Sequence, residues 1–92
     1  MIFSNVDKKF EKIGFKKIED NGYCVRYERR NEEFKYTHVL YIGHKAIGRH
    51  IVQSYDKCLM DSDFTGNVGI GLTYYEMRLA LRKMRQKGWK SR

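Results

Sequence analysis

Three features of the sequence predict an α+β fold of order α-β-β-β-β-α, an antiparallel four-stranded meander sheet with both helices packed on one face. Apolar residues recur at helical spacing only near the two chain ends, strict alternation fills the middle, and turn signals divide the alternating runs. The 92 residues suit a single domain, 1–92, and no repeat, linker or low-complexity stretch divides them. Hydrophobic residues at 41% and charged residues at 33% are a globular composition, and the absence of Pro leaves every predicted element uninterrupted.

The first element is a short helix over residues 4–13, SNVDKKFEKI. Ser4 is placed as its N-cap, Asp7 suits the positive end of the helix dipole, and Val6, Phe10 and Ile13 form one apolar stripe. Gly14 supplies the left-handed stop. Phe15 to Glu19 reads as a strand leading into Asn21-Gly22, a pair that predicts a type I′ hairpin. Tyr23, Val25 and Tyr27 alternate with Cys24, Arg26 and Glu28 in the next strand. After the polar run RRNEE, residues Phe34, Tyr36, His38, Leu40 and Ile42 share one parity of a long central strand. Gly43 to Gly48 is placed as a turn that holds His44. Ile47 to Tyr55 returns as the fourth strand, with His50 on the face of Val52 and Ser54.

Residues 56–72 read as a long irregular connection, mobile over about 57–71. The last helix, about 73–88, opens with Thr73-Tyr74-Tyr75-Glu76, a capping box in form, and stops at Gly88, with Trp89 folding back. Its expected core stripe is Tyr74, Met77, Ala80, Leu81, Met84 and Gly88. Arg78, Arg82 and Arg85 form a row beside it, and Tyr75 and Leu79 lie on the opposite side.

Charge is unevenly placed. From Met77 to Arg92 the chain has Arg78, Arg82, Lys83, Arg85, Lys87, Lys90 and Arg92 and no acidic residue, whereas the rest holds 12 basic and 11 acidic residues. A basic helix with an adjacent tyrosine suits phosphate contact with base or sugar stacking, so Arg78, Arg82, Lys83, Arg85 and Tyr75 are the candidate nucleic-acid contacts. An acidic protein or a second copy of the chain is the alternative partner, with Tyr75 and Leu79 as the interface. The short apolar run at the N-terminus and the lack of an 18-residue apolar stretch point to a cytoplasmic protein with no membrane partner. Cys24 and Cys58 lie far apart and are expected as free thiols.

Catalytic signals are weak, and the balance falls against an enzyme. His38, His44 and His50, spaced by six, do not make a zinc motif, and no metal or cofactor is implied. A turn between strands can nevertheless bring His44 and His50 close, with Asp61 and Asp63 available to complete a divalent site, so a metal-dependent enzyme is the second alternative. DSDFTGN starts like a calcium loop but has Leu72 where the closing Glu belongs. NVGIG lacks the GK[ST] of a phosphate loop. A Cys58–histidine nucleophile pair has no sequence support.

The stretch HKAIGRHIVQSYDK, followed by VGIGLTYYEMRLALRKMRQKGWK, resembles small proteins encoded by phages and prophages of Gram-positive bacteria, over roughly residues 10–90. The resemblance implies a mobile-element context and no mechanism. The α-β-β-β-α core is also similar to double-stranded-RNA-binding domains. Those place lysines at the start of the second helix, where this chain has TYYEM.

Overall fold

A computed structural model describes residues 5–45, 49–60 and 68–89. Its elements are α1 (Val6–Lys12), β1 (Lys16–Asp20), β2 (Cys24–Asn31), β3 (Tyr36–Lys45), β4 (Arg49–Asp56), α2 (Lys57–Met60) and α3 (Tyr74–Gln86). The strands form one antiparallel sheet in the order β1-β2-β3-β4. This is the predicted meander, with one short helix added in the connection after β4.

Local chemistry explains the boundaries. The N-cap of α1 is Asn5, whose side chain accepts from Lys8 N at 3.1 Å; Ser4, the expected cap, lies outside the described residues. Gly14 ends the helix at φ +95°, a conformation that a β-carbon disfavours. The hairpin at Asn21-Gly22 forms, but neither residue takes a positive φ, so the turn is not type I′. Asn21 Oδ1 instead accepts from Tyr23 N at 2.8 Å and Cys24 N at 3.0 Å, an Asx turn that supplants the mirror-image turn. Cys58 N donates to Asp56 Oδ1 at 2.9 Å, which starts α2 inside the stretch expected to be irregular. Val68 and Ile70 return to β4 through Asp56 N→Val68 O and Ile70 N→Ser54 O.

Register divides the sheet into two faces. Val25, Tyr27 and Arg29 stand opposite Ile42, Leu40 and His38, and this side carries α1 and α3. Val6 and Phe10 of α1, Leu79, Ala80 and Met84 of α3, and Phe15, Val25, Tyr27, Leu40 and Ile42 form the core. Phe10 stacks on Tyr27 at 4.1 Å and meets Phe15 edge-on at 5.7 Å. The other face carries α2, through Lys57 against Glu28 and Arg30 Nη1 against Cys58 Sγ. There Tyr41 lies across Gly43, where a β-carbon would come within 2.7 Å of its ring.

The rotation of α3 departs from its hydrophobic periodicity. Its buried residues are Glu76, Leu79, Ala80, Lys83 and Met84. They centre roughly a quarter-turn from the expected stripe, at about 100° per residue. Tyr74, Met77 and Leu81, expected in the core, are 76%, 50% and 49% exposed, whereas Leu79, expected at the surface, is 1% exposed. The cause is two buried charged side chains, Glu76 and Lys83, each with partners on other elements. Lys83 Nζ reaches Asp7 Oδ1 at 3.1 Å and Asp20 Oδ2 at 3.6 Å. Asp7 also accepts from Tyr27 Oη at 2.6 Å and Lys17 Nζ at 2.8 Å.

Burial works against the Asp7 carboxylate, but the hydrogen bonds from Lys17, Tyr27 and Lys83 outweigh it and bring its pKa down to about 2. Burial first, then the bond to Asp7, push the Tyr27 phenol up. Asp7 therefore stabilises the fold fully above its ordinary pKa of 3.8, and this is lost as pH falls towards 2. Asp7→Asn should cost about 2 kcal/mol at neutral pH and remove that part of the acid limb in urea melts recorded as a function of pH.

Candidate functional site: the outer face of the last helix

Thr73 fixes the start of α3 with a complete capping box: its hydroxyl accepts from Glu76 N at 3.1 Å, and Thr73 N donates to Glu76 Oε1 at 2.9 Å. The other Glu76 oxygen takes Arg29 Nη2 at 3.0 Å. With Glu76 held at one end and Lys83 at the other, α3 turns Tyr74, Arg78, Leu81 and Arg85 outward. Arg78 lies over the Tyr74 ring at 5.7 Å, and Arg78, Leu81, Arg82 and Arg85 line a shallow recess. Among the described residues neither Arg78 nor Arg85 is ion-paired with a carboxylate.

The predicted contacts therefore separate. Arg78, Arg82 and Arg85 share one side as expected, and Tyr75, 45% exposed, flanks them. Lys83 is 5% exposed and committed to Asp7 and Asp20, so it is a core cation, not a surface contact. Lys87 is likewise engaged, with Asp20 Oδ1 at 2.5 Å. Leu79 packs in the core and is not available as an interface. Lys90 and Arg92 lie outside the described residues. The reading from sequence missed Tyr74 as the aromatic beside the arginines, because an apolar ring at helical spacing counts towards the core stripe.

Beside this face, α3 and β4 leave an open groove of about 740 Å³ lined by His50, Val52, Leu81, Met84, Arg85 and Trp89. Val52, Leu72, Met77 and Leu81 line an adjoining apolar recess. His50, on the groove wall, is paired with His44 of the neighbouring strand. His44 stands on β3 directly opposite His50 on β4, not in the turn, because β3 continues to Lys45. Their Nδ1 atoms are 3.1 Å apart, and the rings stack at 4.9 Å. Trp89 folds back as expected, with its N donating to Met84 O at 3.0 Å and its indole stacked on His44 at 5.1 Å. Asp61 and Asp63 lie outside the described residues, and among those described no three His, Cys, Asp or Glu side chains cluster as metal ligands.

His38 has the neighbours of a nucleophile pair in the wrong protonation pattern. Its Nε2 is 2.5 Å from Ser54 Oγ, and Arg29 Nη2 donates to its Nδ1 at 3.2 Å. A guanidinium can only donate, so Nδ1 accepts, the neutral ring carries its proton on Nε2, and that N–H points at Ser54. Such a ring cannot take the serine proton. Burial, then the Arg29 charge, hold the His38 pKa below 6.5. Cys24 is buried and Cys58 exposed, both as free thiols, and Cys58 sits beside Arg30 rather than a histidine.

The chain matches no family model, no curated protein and no solved structure. Among the described residues no helix is long and apolar enough to cross a membrane.

Because the folded state keeps His38 neutral, its contribution to stability is present above pH 6.5 and is lost as pH falls through the lowered pKa. His38→Gln should abolish the component of destabilisation that sets in below that pH, as read from thermal melts between neutral and mildly acidic pH.

Proposed function

We propose that this chain is a small nucleic-acid-associated protein of the phage and prophage type, which contacts the phosphate backbone through Arg78, Arg82 and Arg85 on the outer face of α3. The observation that carries the reading is the separation of the C-terminal cations. Lys83 and Lys87 are bound to the carboxylates of Asp7 and Asp20, whereas Arg78 and Arg85 have no carboxylate partner among the described residues and share the outward side of one helix with Arg82. Guanidinium groups suit phosphate through paired, planar donors. Tyr74 and Tyr75, both exposed, flank the row and offer faces for sugar or base contact.

Contact of this kind releases counterions and depends on salt. Each phosphate neutralised contributes about 0.9 to the log–log salt slope for duplex DNA and about 0.7 for a single strand. Fluorescence anisotropy with labelled oligonucleotides at low ionic strength should show binding that weakens steeply with added salt. Arg78→Ala and Arg85→Ala should each reduce the slope by about 1 or less, and Lys83→Met should leave it unchanged in protein that remains folded. Absence of binding to duplex and single strand at low salt would remove the reading.

A second reading, an acidic protein partner or a second copy of the chain, draws support from the apolar strip of Val52, Leu72, Met77 and Leu81 beside the arginines. Its surface differs from the Tyr75 and Leu79 pair expected from sequence. Sedimentation velocity of the free chain separates the two forms of this reading, since a monomer at all concentrations leaves only the foreign partner.

A further inference from the structure

The paired histidines have no part in the phosphate-binding face. His44 and His50 occupy directly opposed positions of β3 and β4, with Nδ1 atoms 3.1 Å apart. A hydrogen bond between two nitrogens this close requires one to carry the proton and the other to accept it. The same spacing suits a chelate. Two nitrogens at about 2.0–2.1 Å from a tetrahedral metal are about 3.3 Å apart, so the spacing is close to that of a chelate, and each ring must also turn until both lone pairs converge on the metal in place of the proton.

The surroundings place the two rings side by side under an aromatic roof. Backbone pairing sets both α-carbons, with His44 N bonded to Tyr23 O at 2.8 Å. Trp89 roofs the pair, lying 14° from the plane of His44 and 17° from that of His50. Gly88 makes that return possible at φ +76°. Among the described residues no carboxylate joins the histidines in a ligand cluster, and the cations Arg85 and Lys87 stand on the groove and over the Trp89 ring. Calcium and magnesium prefer oxygen ligands, whereas zinc, nickel and copper take imidazole nitrogen. His50 also lines the groove between α3 and β4.

We propose that His44 and His50 form a two-imidazole site for a borderline divalent transition metal, of the nickel, copper or zinc class, beneath Trp89. Trp89 is the single tryptophan of the chain and reports on the site directly. The untagged 92-residue chain titrated with Ni²⁺ should show saturable quenching of Trp89 fluorescence, reversed by Zn²⁺ but not by Mg²⁺. His44→Ala and His50→Gln should each weaken the apparent affinity at least about tenfold, with Cys58→Ser unchanged, which separates the site from the exposed thiol. Folding of each variant is checked by circular dichroism. Quenching that fails to saturate in the parent protein, or that persists with the same midpoint in folded His44→Ala and His50→Gln, would overturn the assignment. The result does not depend on whether the arginine face binds nucleic acid.

Discussion

The contact between Lys83 and Asp7 decides what this molecule shows to its surroundings. An ammonium placed in a core costs desolvation energy that a single carboxylate does not fully return. Here the carboxylate is shared by Lys17, Tyr27 and Lys83, and Asp20 takes up the neighbouring charge. Once Lys83 faces inward, helical geometry turns Tyr74, Arg78 and Arg85 outward. Glu76 makes the same choice two turns earlier, through Arg29 and the capping box. The outer face of α3 is therefore set by the ion pairs of its two buried charged residues rather than by its apolar residues.

That dependence explains what could be read without a structure. The order of the four strands between two helices, the capping box at Thr73, the stops at Gly14 and Gly88, and the hairpin at Asn21-Gly22 all follow from local rules that act within a few residues, and each appears where expected, with α2 added after β4. The facing of α3 does not. A hydrophobic stripe treats Glu76 and Lys83 as surface residues, and their partners Arg29, Asp7 and Asp20 lie far off in sequence. The Asn21 turn shows a milder version, in which a side-chain acceptor outcompeted the backbone conformation that the Asn-Gly pair favours. His44 was displaced from turn to strand because β3 runs on past Gly43, under the ring of Tyr41. The arginine row was legible because three like residues at i, i+4 and i+7 share a side whichever way the helix is rolled.

The two ends of the groove differ in character. Arg85 and Leu81 on α3 join the basic face to the apolar strip, while His50 and Trp89 close the other end with aromatic rings. A rigid platform lies beneath both, because the sheet face under α3 is filled by Tyr27, Leu40 and Ile42. Residues on either side of the groove are thus held at fixed spacing by the same core, and a change in the roll of α3 would alter both ends together.

The meander has a kinetic corollary. Each strand pairs with its neighbour in the chain, so the sheet assembles from hairpins whose loop-closure entropy is small. Docking of α1 on α3 is different in kind, since Asp7 and Lys83 are 76 positions apart. On that ordering of loop-closure cost the sheet is expected to form before the chain ends join, and interactions at that seam are then expected to govern chiefly how fast the native state opens, not how fast it forms.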